Sequence, residues 1–185
     1  MNRTRNMILC AMFTVLVAVG AFIKVPVPFV PFTLQFLFTT LAGIFLGARL
    51  GAMSVALYVA LGLLGLPVFA SGGGIGYIFQ PTFGYLIGFI IGTYVTGMIV
   101  QKEENPSRKR ILVACLLGLG IIYICGTAYY WIIMTFYLKT DMGIWALFLY
   151  CVFLSAPGDI ILCCLTATFG KRLIPIIRRE LEVAK

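Results

Sequence analysis

The chain has 185 residues, of which 62% are hydrophobic and only 11% charged, and its net charge is +8. A soluble domain carries about a quarter charged residues to cover its core, so this composition excludes one and predicts an all-α, polytopic membrane protein in the lipid bilayer. The basic excess does not point to nucleic acid: the basic residues lie between apolar runs, not in a stripe interleaved with aromatics.

The first apolar run, Met7 to Ile23, follows Arg3 and Arg5. No small-residue cleavage pattern leads from it into a soluble body, so it predicts a retained first span over 7–24. No Asp, Glu, Lys or Arg occurs from Val25 to Ala48, and none from Leu50 to Gln101. At about 20 residues per crossing, the second stretch holds two helices and a connection. "GLPVFASGGGIGYIFQP" (65–81) is that connection, because its prolines and clustered glycines break helices. The spans expected up to this point are 33–48, 51–66 and 81–100.

A fifth span is expected over 111–137. The last apolar segment, 144–180, is broken at Pro157: Ala156 ends one piece and Pro157 suits the first turn of the next. The whole of 1–185 then forms a single integral membrane domain with six transmembrane helices. Twelve of the fourteen Lys and Arg residues fall on one side of this arrangement and only Lys24 and Lys139 on the other. Both termini are therefore expected in the cytoplasm.

Three unusual segments share the outer face: "KVPVPFVPFTLQ" (24–35), "GLPVFASGGGIGYIFQPTFGY" (65–85) and "LSAPGD" (154–159). Together they suggest outer-face loops built as a lid over a ligand cavity between helices. "SGGGIG" lacks the Lys of a phosphate loop; Gly73 and Gly74 suit a gate or a backbone that a ligand approaches closely. Gln35, Gln80 and Tyr85 either bond neighbouring helices or face the cavity. Asp159 is the sole acidic residue in the stretch 153–170. Mid-membrane, a carboxylate costs roughly 2.5–3.5 kcal/mol, and Leu162 and Cys163, one turn on, offer it no cation. It either caps the helix that starts at Pro157 or accepts hydrogen bonds from a ligand.

Enzymatic chemistry is not expected, since the chain has no His, no Asp/Glu pair and no nucleophile beside a base. Its six cysteines lie in apolar runs without metal-ligand spacing, so neither metal nor cofactor is expected. No Gly-Lys-Ser/Thr phosphate loop occurs, so ATP hydrolysis is not expected of this chain. Ala11, Thr14 and Ala18 make a small-residue stripe on the first helix, suited to close packing against a helix or another protein.

"VPVPFVPFTLQ", "GLPVFASGGGIGYIFQPTFGYLIGF" and "PGD" together resemble the BioY family, the biotin-specific S components of energy-coupling factor (ECF) transporters. The resemblance covers essentially the whole chain. It implies a six-helix S-component bundle in a prokaryotic cytoplasmic membrane, holding one biotin beneath the first and third outer loops. It also implies association with an ECF transmembrane coupling protein and two ABC-type ATPases, docked on the first helix at Ala11, Thr14 and Ala18. In that frame Asp159 accepts from the ureido N–H groups, and Gln35 or Gln80 donates to the ureido carbonyl. Phe79, Phe83 and Tyr85 pack on the bicyclic ring. The family commonly reads "PGDLLK"; here Leu162 replaces that Lys, leaving Lys24 or backbone amides for the ligand carboxylate. An S component for another vitamin, or a stand-alone small secondary transporter, are the alternatives. No inverted repeat supports the latter.

Overall fold

The computed structural model describes residues 3–25, 32–140 and 143–183. Residues 26–31, the centre of the Pro-spaced loop, lie outside the described residues. The protein is a bundle of helices joined by short connections. α1 (Arg3–Phe22) leads into a two-stranded antiparallel ladder, β1 (Lys24–Val25) against β2 (Phe32–Thr33). α2 (Gln35–Leu63), α3 (Phe83–Val100) and α4 (Arg108–Ile132) follow, with a 3-10 turn at Ile75–Phe79 before α3 and a π-type turn at Ile133–Tyr137 after α4. α5 (Ile144–Phe148) runs through a second π-type turn, Leu149–Phe153, to α6 (Ala156–Val183). Among the described residues, five of these helical stretches are long and apolar enough to cross a membrane.

The expected spans 33–48 and 51–66 are joined without a loop, inside α2. Gly47, at φ 81° and ψ −178°, breaks its helical geometry, a conformation glycine adopts without steric cost. The break reverses the chain. In a straight helix Gln35 and Tyr58 would lie about 35 Å apart at 1.5 Å per residue, yet Gln35 Nε2 donates to Tyr58 Oη at 2.8 Å. A Cβ on Gly51 would come within 2.8 Å of the Ala42 carbonyl oxygen, so the two arms of α2 lie side by side. Ala48 N–H, at the start of the second arm, donates to the Gln101 side chain at 3.1 Å. That bond satisfies an amide the break would otherwise orphan.

Close helix approach depends on small residues, as expected where helices pack without a hydrophobic driving force between them. Gly43 lies against Thr93 and Gly97, Gly88 and Gly92 against Ile122, and Gly118 against Thr96. Hydroxyls bridge the same seams: Thr93 donates to Thr39 O and Thr96 to Ala114 O, each at 3.2 Å. Thr14 Oγ1 reaches Ser54 O across to the second arm of α2 at 2.9 Å.

The remaining connections gather at two ends. At one end Arg110 pairs with Glu103, and Ser107 Oγ accepts from Arg110 N to cap α4. At the other, β1–β2, the 64–82 connection and the 154–155 break before α6 come together. Lys24 Nζ donates to Ala70 O at 2.8 Å, and the Phe32 ring fills the space beside Gly158.

Candidate functional site

A cavity opens at this second end, with about 700 Å³ of free space when its open mouth is included. α6 supplies Asp159, which is buried in the cavity wall. Pro157 and Gly158 fall in the first turn of α6, where proline's missing N–H is harmless, and Asp159 completes that turn. Its Oδ2 accepts from Tyr123 Oη of α4 at 2.6 Å, a bond short enough to be charge-assisted.

Gln35 and Tyr85, both buried, line the same cavity. The Gln35 side chain is held from two sides: Nε2 donates to Tyr58 Oη, and Oε1 accepts from Thr33 Oγ1 at 3.3 Å. Tyr58 Oη in turn donates to Val68 O at 3.1 Å. One side chain therefore ties β2, both arms of α2 and the 64–82 connection together. Tyr85 Oη donates to Cys151 O at 3.1 Å, and its ring lies where a Cβ on Gly126 would have to be. Gly126 thus makes the room that lets Tyr85 cross from α3 towards the cavity.

The 64–82 connection covers the cavity through Ala70, Ser71, Tyr77 and Thr82. Its anchor is Phe69, almost fully buried, whose ring occupies the space above Gly62. Phe69 also packs edge-on to Tyr58 and lies 4.5 Å from the Tyr77 ring. Gly73, Gly74, Phe79 and Gln80 belong to this connection but not to the cavity wall. Gly74, at φ 100°, turns the chain and donates its N–H to Gly62 O at 2.7 Å. Gly73 sits so close to the Leu66 carbonyl that a side chain has no room. Phe79 and Gln80 are exposed, Phe79 stacking on Tyr137 at 5.1 Å. Phe83 packs against Tyr129 and is also off the wall. The glycines shape the lid while Tyr77 presents the ring.

Sequence reasoning missed Tyr123, Tyr77, Phe36, Phe89 and Ser155, all on the wall. Ser155 carried a signal, standing two residues before Pro157 and one turn from Asp159. The stripe on α1 is split: Ala11 is exposed, Ala18 half-buried, and Thr14 buried in its bond to Ser54 O.

The arrangement pairs one buried carboxylate with an aromatic, largely apolar chamber. It suits a small neutral donor group attached to an apolar body. Among the described residues, no cluster of His, Cys, Asp and Glu is placed to hold a metal.

Comparison with known proteins gives the same direction from an independent source. Residues 1–179 match the family model described as BioY family. A probable biotin transporter BioY of Lysinibacillus sphaericus is 43% identical over 175 residues, covering 95% of this chain and 89% of that protein. The biotin transporter BioY of Thermotoga maritima is 46% identical over 123 residues, covering 66% and 72%. A crystal structure of the S-component for biotin from an ECF-type ABC transporter superposes with a TM-score of 0.76 at 25% identity, covering 94% of each chain.

Proposed function

Because this chain belongs to the BioY family, a family of transporter components and not of enzymes, we propose that it is the biotin-binding S component of an ECF-type vitamin transporter. The observation that carries this reading is the buried Asp159 in a chamber whose other walls are mostly aromatic and aliphatic. Biotin presents two ureido N–H donors, an apolar bicycle and a tail ending in a carboxylate. Asp159 accepts from the ureido N–H side. Tyr77, Tyr85, Phe36 and Phe89 enclose the rings. The tail points to the mouth, where Lys24, held on Ala70 O, provides a positive charge in place of the Lys absent at Leu162.

The two arms of α2 count as separate crossings in this reading, giving six in all and placing both termini in the cytoplasm. The distribution of Lys and Arg supports that orientation, and the cavity then opens outward. A membrane-impermeant thiol reagent that labels a cysteine placed at position 105 from outside intact cells would overturn it.

Delivery inward needs an energy source that this chain lacks, as it has no phosphate loop. A transmembrane coupling protein and two ABC-type ATPases supply it, docking on the open face of α1 at Ala11. Equilibrium dialysis of the purified chain against labelled vitamins tests the ligand. Saturable binding of biotin, in preference to other vitamins, is expected. Preference for another vitamin, or no binding, sinks the reading.

A further inference from the structure

Ser155 stands at the N-terminal boundary of α6; the residue is 6% exposed and its buried hydroxyl has no hydrogen-bond partner. Buried polar groups are normally paired, so each exception calls for an explanation. A serine at a helix start usually caps it; this one does not bond the first-turn amides. The other polar groups of the wall discussed above are engaged: Gln35 with Tyr58 and Thr33, Tyr85 with Cys151 O, Tyr123 with Asp159. Gln35 Nε2 already donates one of its N–H groups to Tyr58 and its amide is oriented by the scaffold, and Gln80 is exposed, whereas the Ser155 hydroxyl has nothing else to donate to.

We propose that the Ser155 hydroxyl is the donor to the ureido carbonyl oxygen of the ligand, beside the N–H accepted by Asp159. This assignment rests on the biotin reading above. Ser155 and Asp159 are four residues apart, and Asp159 N–H donates to Ser155 O at 3.1 Å. That bond sets Ser155 one turn ahead of Asp159, and both residues line the cavity. On a cyclic urea one N–H and the carbonyl are adjacent on the same edge, one donating and one accepting. A carboxylate and a hydroxyl one turn apart match that edge, acceptor to donor and donor to acceptor. A cyclic amidine or thiourea at the same edge offers a poorer acceptor, so Ser155 would select for the oxo group.

The experiment measures affinity of the purified chain for biotin and for its thiocarbonyl analogue, in the wild type, Ser155→Ala and Ser155→Thr. Wild type is expected to bind the analogue about tenfold more weakly than biotin. Ser155→Ala should lose about tenfold for biotin and little for the analogue, and Ser155→Thr should keep biotin affinity. A wild type that binds biotin and its analogue equally overturns the assignment, even if Ser155→Ala does not fold. So does a Ser155→Ala that loses both ligands equally, the result of a purely structural role. A wild type that binds no biotin at all sinks the underlying reading instead.

Discussion

Tyr123 of α4 and Asp159 of α6, 36 residues apart in sequence, meet at 2.6 Å over the floor of the cavity. The tyrosine donates and the carboxylate accepts, so one of its two oxygens is fixed while the other keeps its acceptor sites for a ligand. The bond also fastens α6 to α4 at the level of the site.

Tyr123→Phe is therefore expected to weaken biotin binding by acting through Asp159. Losing a hydrogen bond to a charged group removes roughly 1.5–3 kcal/mol at most, and a carboxylate free to turn recovers part of that. A fall of about tenfold is expected. In a double-mutant cycle with Asp159→Asn, the second change should add little to the first. Full additivity would mean that Tyr123 and Asp159 act independently.

Asp159→Asn separates the two roles open to this side chain. Its observed partner is Tyr123 Oη, not an amide of its own helix. Asn keeps one acceptor oxygen but sets an amide donor against the ureido donors. Affinity should fall ten- to a hundredfold, following the roughly 1.5–3 kcal/mol of a charge-assisted bond. Folding should survive, because a neutral side chain is cheaper to hold in the membrane. Affinity unchanged beside a lowered melting temperature would return Asp159 to helix capping.

Gly62 and Phe69 anchor the lid by shape. The Phe69 ring fills the space a Gly62 side chain would need. Phe69→Ala removes a buried aromatic at a cost of about 3–5 kcal/mol, and the 64–82 connection should loosen, raising the biotin dissociation rate. Gly62→Ala should do the same by expelling the ring. Combined, the two substitutions should cost less than their sum, since each removes the other's clash or cavity. Strict additivity in the dissociation rates would detach Gly62 from the lid.

Much of this was legible in the chain. The Pro-Gly break before Asp159, the glycine-rich connection and Gln35 all announced themselves by being out of place in apolar sequence. The hairpin inside α2 was less visible: "GARLGA" shows a charged turn, but not that Gly47 alone reverses the helix. Tyr123 was hidden for a different reason. In "GIIYICG" it looks like any aromatic in a span, and only the register between α4 and α6 aims it at Asp159. Gly73 and Gly74 stood out as candidates to meet a ligand, yet their backbone angles and close approach to α2 serve the curvature of the lid. Composition identifies which segments are special; which side of a loop faces the cavity depends on dihedral angles that glycine leaves free.

Lys24 offers a test of the tail's direction. Its ammonium is exposed and donates to Ala70 O, a contact that on its own contributes little in high dielectric. If it also meets the ligand carboxylate, Lys24→Gln should lower biotin affinity a few-fold, and more at low salt than at high. Biotin amide, lacking the charge, should bind both forms equally. An equal loss for acid and amide would make Lys24 a lid strut only.

The docking face on α1 can be tested by separating its exposed from its buried residues. Ala11 is exposed in line with Met7 and Val15 at helical i, i+4 spacing, whereas Thr14 is turned inward onto Ser54 O. Ala18 is half-buried against the core, so Trp there would strain the bundle itself. Ala11→Trp is the cleaner probe: on an open face it should leave biotin affinity and melting temperature unchanged while blocking co-purification with the coupling protein and ATPases. Thr14→Val should do the reverse, lowering stability by about 1 kcal/mol for the lost buried bond while assembly persists. If Ala11→Trp assembles normally, α1 does not carry the docking surface. If it abolishes biotin binding, Ala11 belongs to the folded core of the bundle and the partner must dock elsewhere.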